Sequence, residues 1–258
     1  IPGARVTHVW TDDPADAPKV AAAARIPNIA ARAENVIGEV DAVIVATDKG
    51  HEHVDRCRPF VEAGLPVFVD KPLVDNEADL EQFRRWVIEE GRPIMSSSSM
   101  RYCKEYMPYR ASTHELGELR HLCVTTAKTW ERYGIHALSC IYPILGPGFL
   151  SARNTGTIGR NVVHLKHACG ADVTVVATKD MYGGFGYLQI CGTRNAVQLR
   201  SHDTYYAFRA QLVDFVRYLR TGVRPFPFSE TEELMRLQIA GTLSREQDGR
   251  EVLLTEIA

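Results

Sequence analysis

Lys71 is the residue that this sequence marks most clearly for chemistry. It lies between Asp70 and Pro72 and follows the continuous apolar run Val67–Val69, which is typical of a buried strand. A primary amine at the end of a strand can stabilise negative charge that develops on a substrate oxygen, or act as a base when desolvation favours its neutral form. The alternative interpretation is a surface lysine that follows an edge strand.

Two strands joined by a helix are predicted to position this lysine. Val43–Val45 is a second continuous apolar run, and strands of this kind usually run parallel with both faces covered. The residues between the two runs have helical spacing and supply the crossover that parallel strands need. Because ligands of open parallel sheets bind outside the carboxyl ends of the strands, Lys71 and the loop at residues 47–53 should line the same rim.

This stretch resembles the Gfo/Idh/MocA family, the nicotinamide-dependent oxidoreductases that include glucose-fructose oxidoreductase and inositol dehydrogenase. The family has a strand ending in Ala-Thr, a loop with a histidine, a helix ending in Glu-Ala-Gly and a strand ending in Glu-Lys-Pro. The matching residues here are Ala46-Thr47, His53, Glu62-Ala63-Gly64 and Asp70-Lys71-Pro72. Aspartate replaces the family's last glutamate, the loop before His53 is longer, and Asp48 stands where the family usually has proline.

The resemblance implies a Rossmann-type domain that binds NAD or NADP. It places Thr47, His53 and the segment Asp70-Lys71-Pro72 in the cofactor site or at its rim. The family usually has an acidic residue that binds the adenosine ribose hydroxyls at the position of Thr11. The adjacent Asp12 would take over this contact. The alternative is that Asp12 and its neighbour Asp13 cap the helix that begins near Pro14.

The start of the chain lacks a feature that a dinucleotide-binding fold should have. Residues 6–10 already have the pattern of the family's second strand, so a first strand and a Gly-x-Gly-x-x-Gly turn should come before them. The chain begins at Ile1 without a methionine, and no such turn is present. We therefore expect either that an N-terminal segment is missing from this chain or that the protein lacks that half of the cofactor site.

Residues 130–138 resemble the family's Asp-x-Gly-x-His sequence at the start of a helix in the second domain. Gly134 and His136 match, whereas Arg132 takes the place of the aspartate and reverses its charge. In the family, this histidine and the lysine of Glu-Lys-Pro face the substrate carbon across the nicotinamide. The resemblance therefore implies that His136 and Lys71 are the catalytic pair. The alternative is a structural histidine at a helix start.

The chemistry suits these residue types. Oxidation of an alcohol needs a base for the hydroxyl proton as hydride leaves, and histidine can take this proton near neutrality. Lys71 can hold the hydroxyl or be the base itself. Arg132 would deprive His136 of a carboxylate partner, and its charge would favour a negatively charged substrate such as a carboxylated sugar. Arg101 follows a strand where the family often has a basic or aromatic residue facing the substrate, and is a second predicted substrate contact.

The composition argues against several other classes of protein. With a net charge of −2 over 258 residues and scattered basic residues, nothing indicates nucleic acid or an anionic membrane as a partner. The six cysteines form no Cys-x-x-Cys pair, so we expect reduced thiols in the cytoplasm. His51 and His53 form His-x-His without an evident third ligand, and we expect no metal. No apolar run approaches the roughly 18 residues that span a bilayer.

Two domains are predicted. Residues 1–100 should form an α/β dinucleotide-binding domain with a Rossmann-type parallel sheet that lacks its first strand and glycine turn. Residues 101–258 should form an α+β domain for substrate binding, with a mixed, largely antiparallel sheet, because short strand-like runs follow one another there. The strands are expected at residues 119–126, 162–167, 172–178 and 187–191, with a hairpin turn at the glycine cluster 183–186. The open face of this sheet would join copies into a homo-oligomer, as in many family members.

The function predicted from these residues is hydride transfer between NAD(P) and a hydroxyl group of a sugar, polyol or related small molecule. Two alternatives stay open. Some relatives hydrolyse glycosidic bonds with tightly held NAD on the same fold. A non-catalytic sensor of a ligand or nucleotide would also be consistent with the charge reversal at Arg132 and with the missing glycine turn.

Overall fold

Short parallel strands form the N-terminal part of the computed structural model, which describes residues 1–257. The strands are β1 (His8–Val9), β2 (Asn28–Ile29), β3 (Val43–Val45), β4 (Val67–Val69) and β5 (Ile94–Ser96). β1 pairs with β2, and the other three form a separate sheet in the order β3-β4-β5, all in parallel. All three residues of β4 are buried, which accounts for its continuous apolar sequence. The predicted parallel arrangement is confirmed.

Three helices connect these strands. They are α1 (Ala17–Ala24), α2 (His53–Glu62) and α3 (Glu77–Arg84), and α3 continues as a π-helical turn over Arg85–Glu89. The side-chain oxygen of Asn76 accepts the Asp79 N–H at 2.9 Å and so caps the start of α3. Leu80 and Phe83 lie on the buried face of α3, as the apolar spacing of this segment predicts.

A seven-stranded mixed sheet dominates the C-terminal part. Its strands are β6 (Leu119–Ala127), β7 (Phe149–Asn154), β8 (Arg160–His167), β9 (Asp172–Thr178), β10 (Tyr187–Gly192), β11 (Ala196–Arg200) and β12 (Val252–Leu253). The order is β11-β10-β6-β9-β8-β7-β12, and only the β6–β9 pair is parallel. The prediction of a mixed, largely antiparallel sheet is confirmed. The predicted hairpin turn at residues 183–186 is wrong, because β6 lies between β9 and β10.

Four helices accompany this sheet: α4 (Met107–Ala111), α5 (Ile135–Leu145), α6 (Thr204–Thr221) and α7 (Phe228–Glu246). α5 and α7 pack against each other and against one face of the sheet. Buried residues of these helices and of the inner sheet face join those of the N-terminal part in one large apolar core. None of the helices within residues 1–257 has the length and apolar character that crossing a membrane requires.

Helix α6 crosses back to the N-terminal sheet. Its residues Phe215 and Tyr218 form a second apolar cluster with Phe68 of β4 and Met95 of β5. The Phe68 and Phe215 rings meet edge to face with centroids 5.4 Å apart. The division at residue 100 stays a prediction, since α6 comes from the C-terminal segment but covers part of the N-terminal sheet.

Candidate active site

A cleft of about 420 Å³ lies beyond the carboxyl ends of β3 and β4, facing the start of α5. Its walls come from loops of the N-terminal sheet, from the segment before α5 and from α6. The lining residues are Asp12, Ala46, Thr47, Asp48, Lys49, Glu52, Asp70, Lys71, Ser99, Tyr133, His136 and Phe208. Lys71 and His136, which belong to distant parts of the sequence, therefore meet at one cleft.

Lys71 follows β4 and is only 8% exposed. Its Nζ lies 3.7 Å from Oδ2 of Asp70 and 5.0 Å from the centroid of the Tyr133 ring. Burial raises the pKa of the Asp70 carboxyl, and the adjacent ammonium of Lys71 opposes this rise. The amine is thus largely withdrawn from bulk water and held against an aromatic face at the edge of the cleft.

His136 lies in the first turn of α5 and is 7% exposed. Its Nδ1 is 2.8 Å from Oγ of Ser98, while Nε2 has no hydrogen-bond partner in the described part of the chain and is left to the cleft. Burial lowers the pKa of His136 well below its ordinary value, and the charges of Lys71 and Lys128 lower it further. The imidazole is therefore neutral at neutral pH.

Trp130 fixes the position of the helix that carries His136. Its indole is fully buried, and its Nε1 donates to the Gln238 carbonyl oxygen of α7 at 2.8 Å. The indole also packs directly on two glycines, since a Cβ added to either Gly134 or Gly241 would lie 2.6 Å from a ring carbon. The start of α5 is therefore anchored to α7 by close packing that tolerates no side chain at these two positions.

Tyr133 is a central residue of the site that the sequence analysis missed. Its ring contacts the His136 ring with centroids 4.7 Å apart, and its Oη lies 2.6 Å from Nζ of Lys128. Lys128 directly follows β6 and has a positive φ of 61°, an uncommon conformation for a residue with a side chain. One signal was present in the sequence: Tyr133 and His136 are three residues apart, the spacing at which side chains share a helix face.

His53 does not reach the cleft. It is fully buried, its Nδ1 donates to the Leu73 carbonyl oxygen at 2.9 Å, and its Nε2 lies 3.0 Å from Oγ1 of Thr47. Both ring nitrogens are thus hydrogen-bonded within the protein, so neither is available for the predicted contact with the cofactor. The histidine instead ties Thr47, which lines the cleft, to the segment after Lys71. Pro72 is also buried and does not line the cleft.

Asp12 lines the cleft at the end of β1. Arg56 donates to both of its carboxylate oxygens, at 2.9 and 2.8 Å. This hydrogen bonding lowers the pKa of Asp12, so the carboxylate is ionised at neutral pH. Neither Asp12 nor Asp13 caps α1, which begins at Ala17. Oδ1 of Asp13 accepts the N–H of Ala15 at 2.9 Å, in the turn before the helix.

Neither predicted substrate arginine lines the cleft. Nη2 of Arg132 lies 2.5 Å from Oδ1 of Asp48, so its charge is paired at the cleft edge. Glu131, beside it, pairs with Arg245. Arg101 is buried against Glu230 and lines a separate cavity of about 380 Å³. The structure therefore does not bring Arg101 together with Lys71 and His136, because the turn after β5 directs it towards α7.

Among residues 1–257 there is no group of three or more His, Cys, Asp and Glu side chains that could hold a metal ion. The carboxylates of the cleft are instead engaged by cations. Glu52 pairs with both Lys49 and Arg56, and Asp70 pairs with Lys71.

Comparison with known proteins gives a family for the first part of the chain. Residues 1–97 match the sequence model of Gfo/Idh/MocA, described as an oxidoreductase family with an NAD-binding Rossmann fold. No curated protein sequence matches the chain.

Solved structures extend the likeness to the whole fold at low sequence identity. Myo-inositol 2-dehydrogenase from Lactobacillus plantarum has a TM-score of 0.83 at 15% identity, over 98% of this chain and 92% of that chain. Apo scyllo-inositol dehydrogenase from Lactobacillus casei has a TM-score of 0.84 at 12% identity, over 99% and 92%. An oxidoreductase from Agrobacterium radiobacter in complex with NAD⁺, L-tartaric acid and magnesium has a TM-score of 0.84 at 16% identity, over 100% and 93%.

The two predicted motifs thus occur in a chain with the expected fold and at one shared cleft. Residues 1–97 match the model of the Gfo/Idh/MocA family of NAD-binding oxidoreductases, and over nearly its whole length the chain has the fold of these solved structures.

Proposed function

We propose that this protein is an NAD(P)-dependent dehydrogenase that interconverts a hydroxyl group and a carbonyl group on a polyol, a sugar or a related small molecule. The match of residues 1–97 to a family of NAD-binding oxidoreductases supports this proposal. The observation that carries the proposal is the meeting of Lys71 and His136 at one cleft, where both contact the Tyr133 ring.

The residues present fit a nicotinamide cofactor. Bound NAD supplies the acceptor for a hydride. Asp12 offers an ionised carboxylate at the end of β1, where it can accept hydrogen bonds from ribose hydroxyls. Thr47 lines the same wall, and its position is set by the contact of Oγ1 with His53.

The reaction requires a proton acceptor and an oxygen-binding group on the substrate side of the cleft. In the oxidative direction the alcohol O–H bond breaks and its proton passes to the protein. A bound NAD would accept the hydride released from the C–H bond, and the C=O bond would form. Lys71 and His136 provide two nitrogens for these two tasks, one to take the proton and one to donate a hydrogen bond to the oxygen.

The names and contents of similar solved structures support this class of substrate. Two of the similar structures are named for inositols, and a third contains tartaric acid. Inositols and tartaric acid each carry several hydroxyl groups. A polyhydroxy compound suits a cleft whose wall carries ionised, paired carboxylates as hydrogen-bond acceptors. Arg132 does not favour an anionic substrate, because the charge of Arg132 is paired with Asp48.

We also propose that the protein forms a homo-oligomer through the outer face of its seven-stranded sheet. Val162 of β8 lies opposite Val176 of β9 in the middle of that face and is 42% exposed. A cytoplasmic location stays a prediction, and the cysteines, which are all free, support it.

The full-length protein can be titrated with NADH and with NADPH by fluorescence, then assayed on a panel of inositols, sugars and sugar acids. We expect at least one of the two cofactors to bind and turnover on at least one polyol. Lys71→Met should lower kcat by about 100-fold or more, with the Kd for NADH changed little, whereas Lys19→Met on α1 should alter neither.

Unchanged turnover of Lys71→Met would refute the site assignment. Binding of NADH without turnover on any compound would favour the sensor, and glycoside cleavage without net NADH formation would favour the glycosidase.

A further inference from the structure

A buried hydroxyl, and not a carboxylate, contacts the inner ring nitrogen of His136. Oγ of Ser98 lies 2.8 Å from Nδ1, and Ser98 is 1% exposed. The nearest acidic candidates in the sequence are engaged elsewhere, since Glu131 pairs with Arg245 and Asp48 pairs with Arg132. The orientation of the imidazole therefore depends on what this one hydroxyl can donate and accept.

The hydrogen-bond capacity of Ser98 determines which nitrogen of His136 carries the hydrogen. A serine hydroxyl has one hydrogen to donate and two lone pairs. Oγ accepts the N–H of Met100 at 3.1 Å, and its only other partner in the described chain is Nδ1 of His136. If Nδ1 were the donor, the hydroxyl hydrogen would be buried with no acceptor, which is unfavourable. Ser98 therefore donates to Nδ1, and Nδ1 bears no hydrogen.

The surroundings of the ring keep it neutral in that state. Two ammonium groups, those of Lys71 and Lys128, act on the imidazole, and its ring neighbours are Tyr133 and Phe185. No carboxylate contacts it within the described residues. A neutral imidazole has one N–H, so the hydrogen is on Nε2, the nitrogen left to the cleft.

We infer that Ser98 is a positioning residue that fixes His136 as the Nε2–H tautomer, so that His136 donates a hydrogen bond to the substrate oxygen while Lys71 exchanges the proton. This inference rests on the proposed dehydrogenase function and assigns the two tasks that it left open. In oxidation the alcohol O–H bond breaks and its proton goes to the amine of Lys71, in the fraction of the protein whose Lys71 ammonium has lost its proton. The electron pair of the C–H bond leaves with the hydride to NAD⁺, and Nε2–H stabilises the oxygen that becomes the carbonyl.

The tautomer can be measured without any activity. In ¹⁵N-histidine-labelled protein, we expect the Nδ1 resonance of His136 to be that of an unprotonated ring nitrogen and Nε2 to carry the hydrogen. Ser98→Thr, which keeps the hydroxyl, should retain this pattern, and Ser98→Ala should lose it. Ser97→Ala is the matched control, because the Ser97 hydroxyl contacts Gln211 and not the imidazole. A wild-type spectrum with the hydrogen on Nδ1 overturns the inference, whether or not the protein turns over substrate.

Kinetics test the division of roles. We expect Ser98→Ala to lower kcat by about 10- to 100-fold, with rescue by Ser98→Thr and with the Kd for NADH unchanged. His136→Gln keeps an N–H donor, so it should retain slow turnover with the same rise of kcat with pH as the wild type. Loss of that rise in His136→Gln shows that the imidazole is the base and overturns the assignment. An Nε2–H tautomer in a protein without turnover would instead refute the dehydrogenase function alone.

Discussion

At the scale of single residues, the aromatic ring of Tyr133 organises the charges of the cleft. Nζ of Lys71 and Nζ of Lys128 lie 5.0 and 4.2 Å from the ring centroid. The ring also contacts the imidazole of His136 at 4.7 Å between centroids. An aromatic face attracts each cation and separates the imidazole from water. The pair predicted from sequence is thus part of a four-residue cluster, in which burial lowers the pKa of His136 and the charges of the two lysines lower it further.

The contribution of Lys128 to the protonation of His136 can be tested directly. The ammonium of Lys128 is one of the two charges that lower the pKa of His136. Removing a positive charge near an imidazole favours the protonated form, so Lys128→Met should raise this pKa, whereas Lys128→Arg should leave it low. The measurement is the pH titration of the His136 ring proton by NMR. Equal titration in both variants would show that Lys128 does not contribute and that burial and Lys71 account for the low pKa.

The sequence allowed Lys71 and His136 to be predicted because each lies in a short local motif. Ser98 and Tyr133 were not predicted, because their roles depend on contacts between distant segments. Ser98 lies 38 residues before His136, and a run of four serines also occurs in flexible linkers. The pairing of Arg132 with Asp48 spans 84 residues and cannot be inferred from either position alone.

At the scale of secondary-structure elements, a buried histidine couples the two loops that form the cleft. His53 begins α2 and bridges Thr47, after β3, to Leu73, after β4. Both loops follow neighbouring parallel strands, so their ends already lie side by side. The imidazole of His53 holds the two loops together beyond the point where the backbone hydrogen bonds between the strands end. The resemblance drew attention to His53, yet only tertiary contacts distinguish a bridging role from contact with the cofactor.

This bridge should make a measurable contribution to stability. His53→Ala removes a fully buried side chain and leaves the Leu73 carbonyl without its donor. We expect the free energy of unfolding to fall by about 2–4 kcal/mol, measured by urea denaturation. The matched control is His51→Ala, because the His51 side chain is 60% exposed and contacts only Asp75. That change should cost less than about 1 kcal/mol. Similar losses for the two variants would contradict the bridging role.

Strands were predicted well where their side chains alternate between core and solvent. β8 and β9 bury every second residue, and β9 was predicted with its observed bounds. β11 was not predicted, because none of its five residues is fully buried and its apolar signal is short. The connection from β9 to β10 was misjudged because strands that follow each other in sequence usually pair, whereas β10 pairs with β6.

At the scale of the whole molecule, α6 joins the two parts of the chain around the cleft. Its first half supplies Phe208 to the cleft wall, and its second half packs Phe215 on Phe68 of β4. In the middle, Gln211 is buried and its Nε2 donates to Ser97, next to the serine that holds His136. The helix thus connects the cofactor-binding sheet to the side of the cleft that carries His136. The apolar residues at positions 208, 212, 215, 216 and 219 share one helix face and so predict this helix, but they do not identify the sheet on which it lies.

The outer face of the seven-stranded sheet is the surface that we propose for self-association. α5 and α7 cover its inner face, and the outer face exposes Val162 of β8 beside Val176 of β9. A stable interface buries about 800 Å² per partner around an apolar centre. Val162→Lys would place a charge at that centre and should weaken self-association by about tenfold or more.

Sedimentation velocity over a range of protein concentrations measures this effect. Ile158→Lys is the matched control, because Ile158 is 85% exposed in the turn before β8 and not on the face of the sheet. We expect the control variant to associate as the wild type does. A monomeric wild type at tens of micromolar, or equal association of the two lysine variants, would show that this face is not the interface. If only Val162→Lys dissociates the protein, turnover by the monomer can then be measured. Because each cleft is built from one chain, we expect the monomer to turn over substrate.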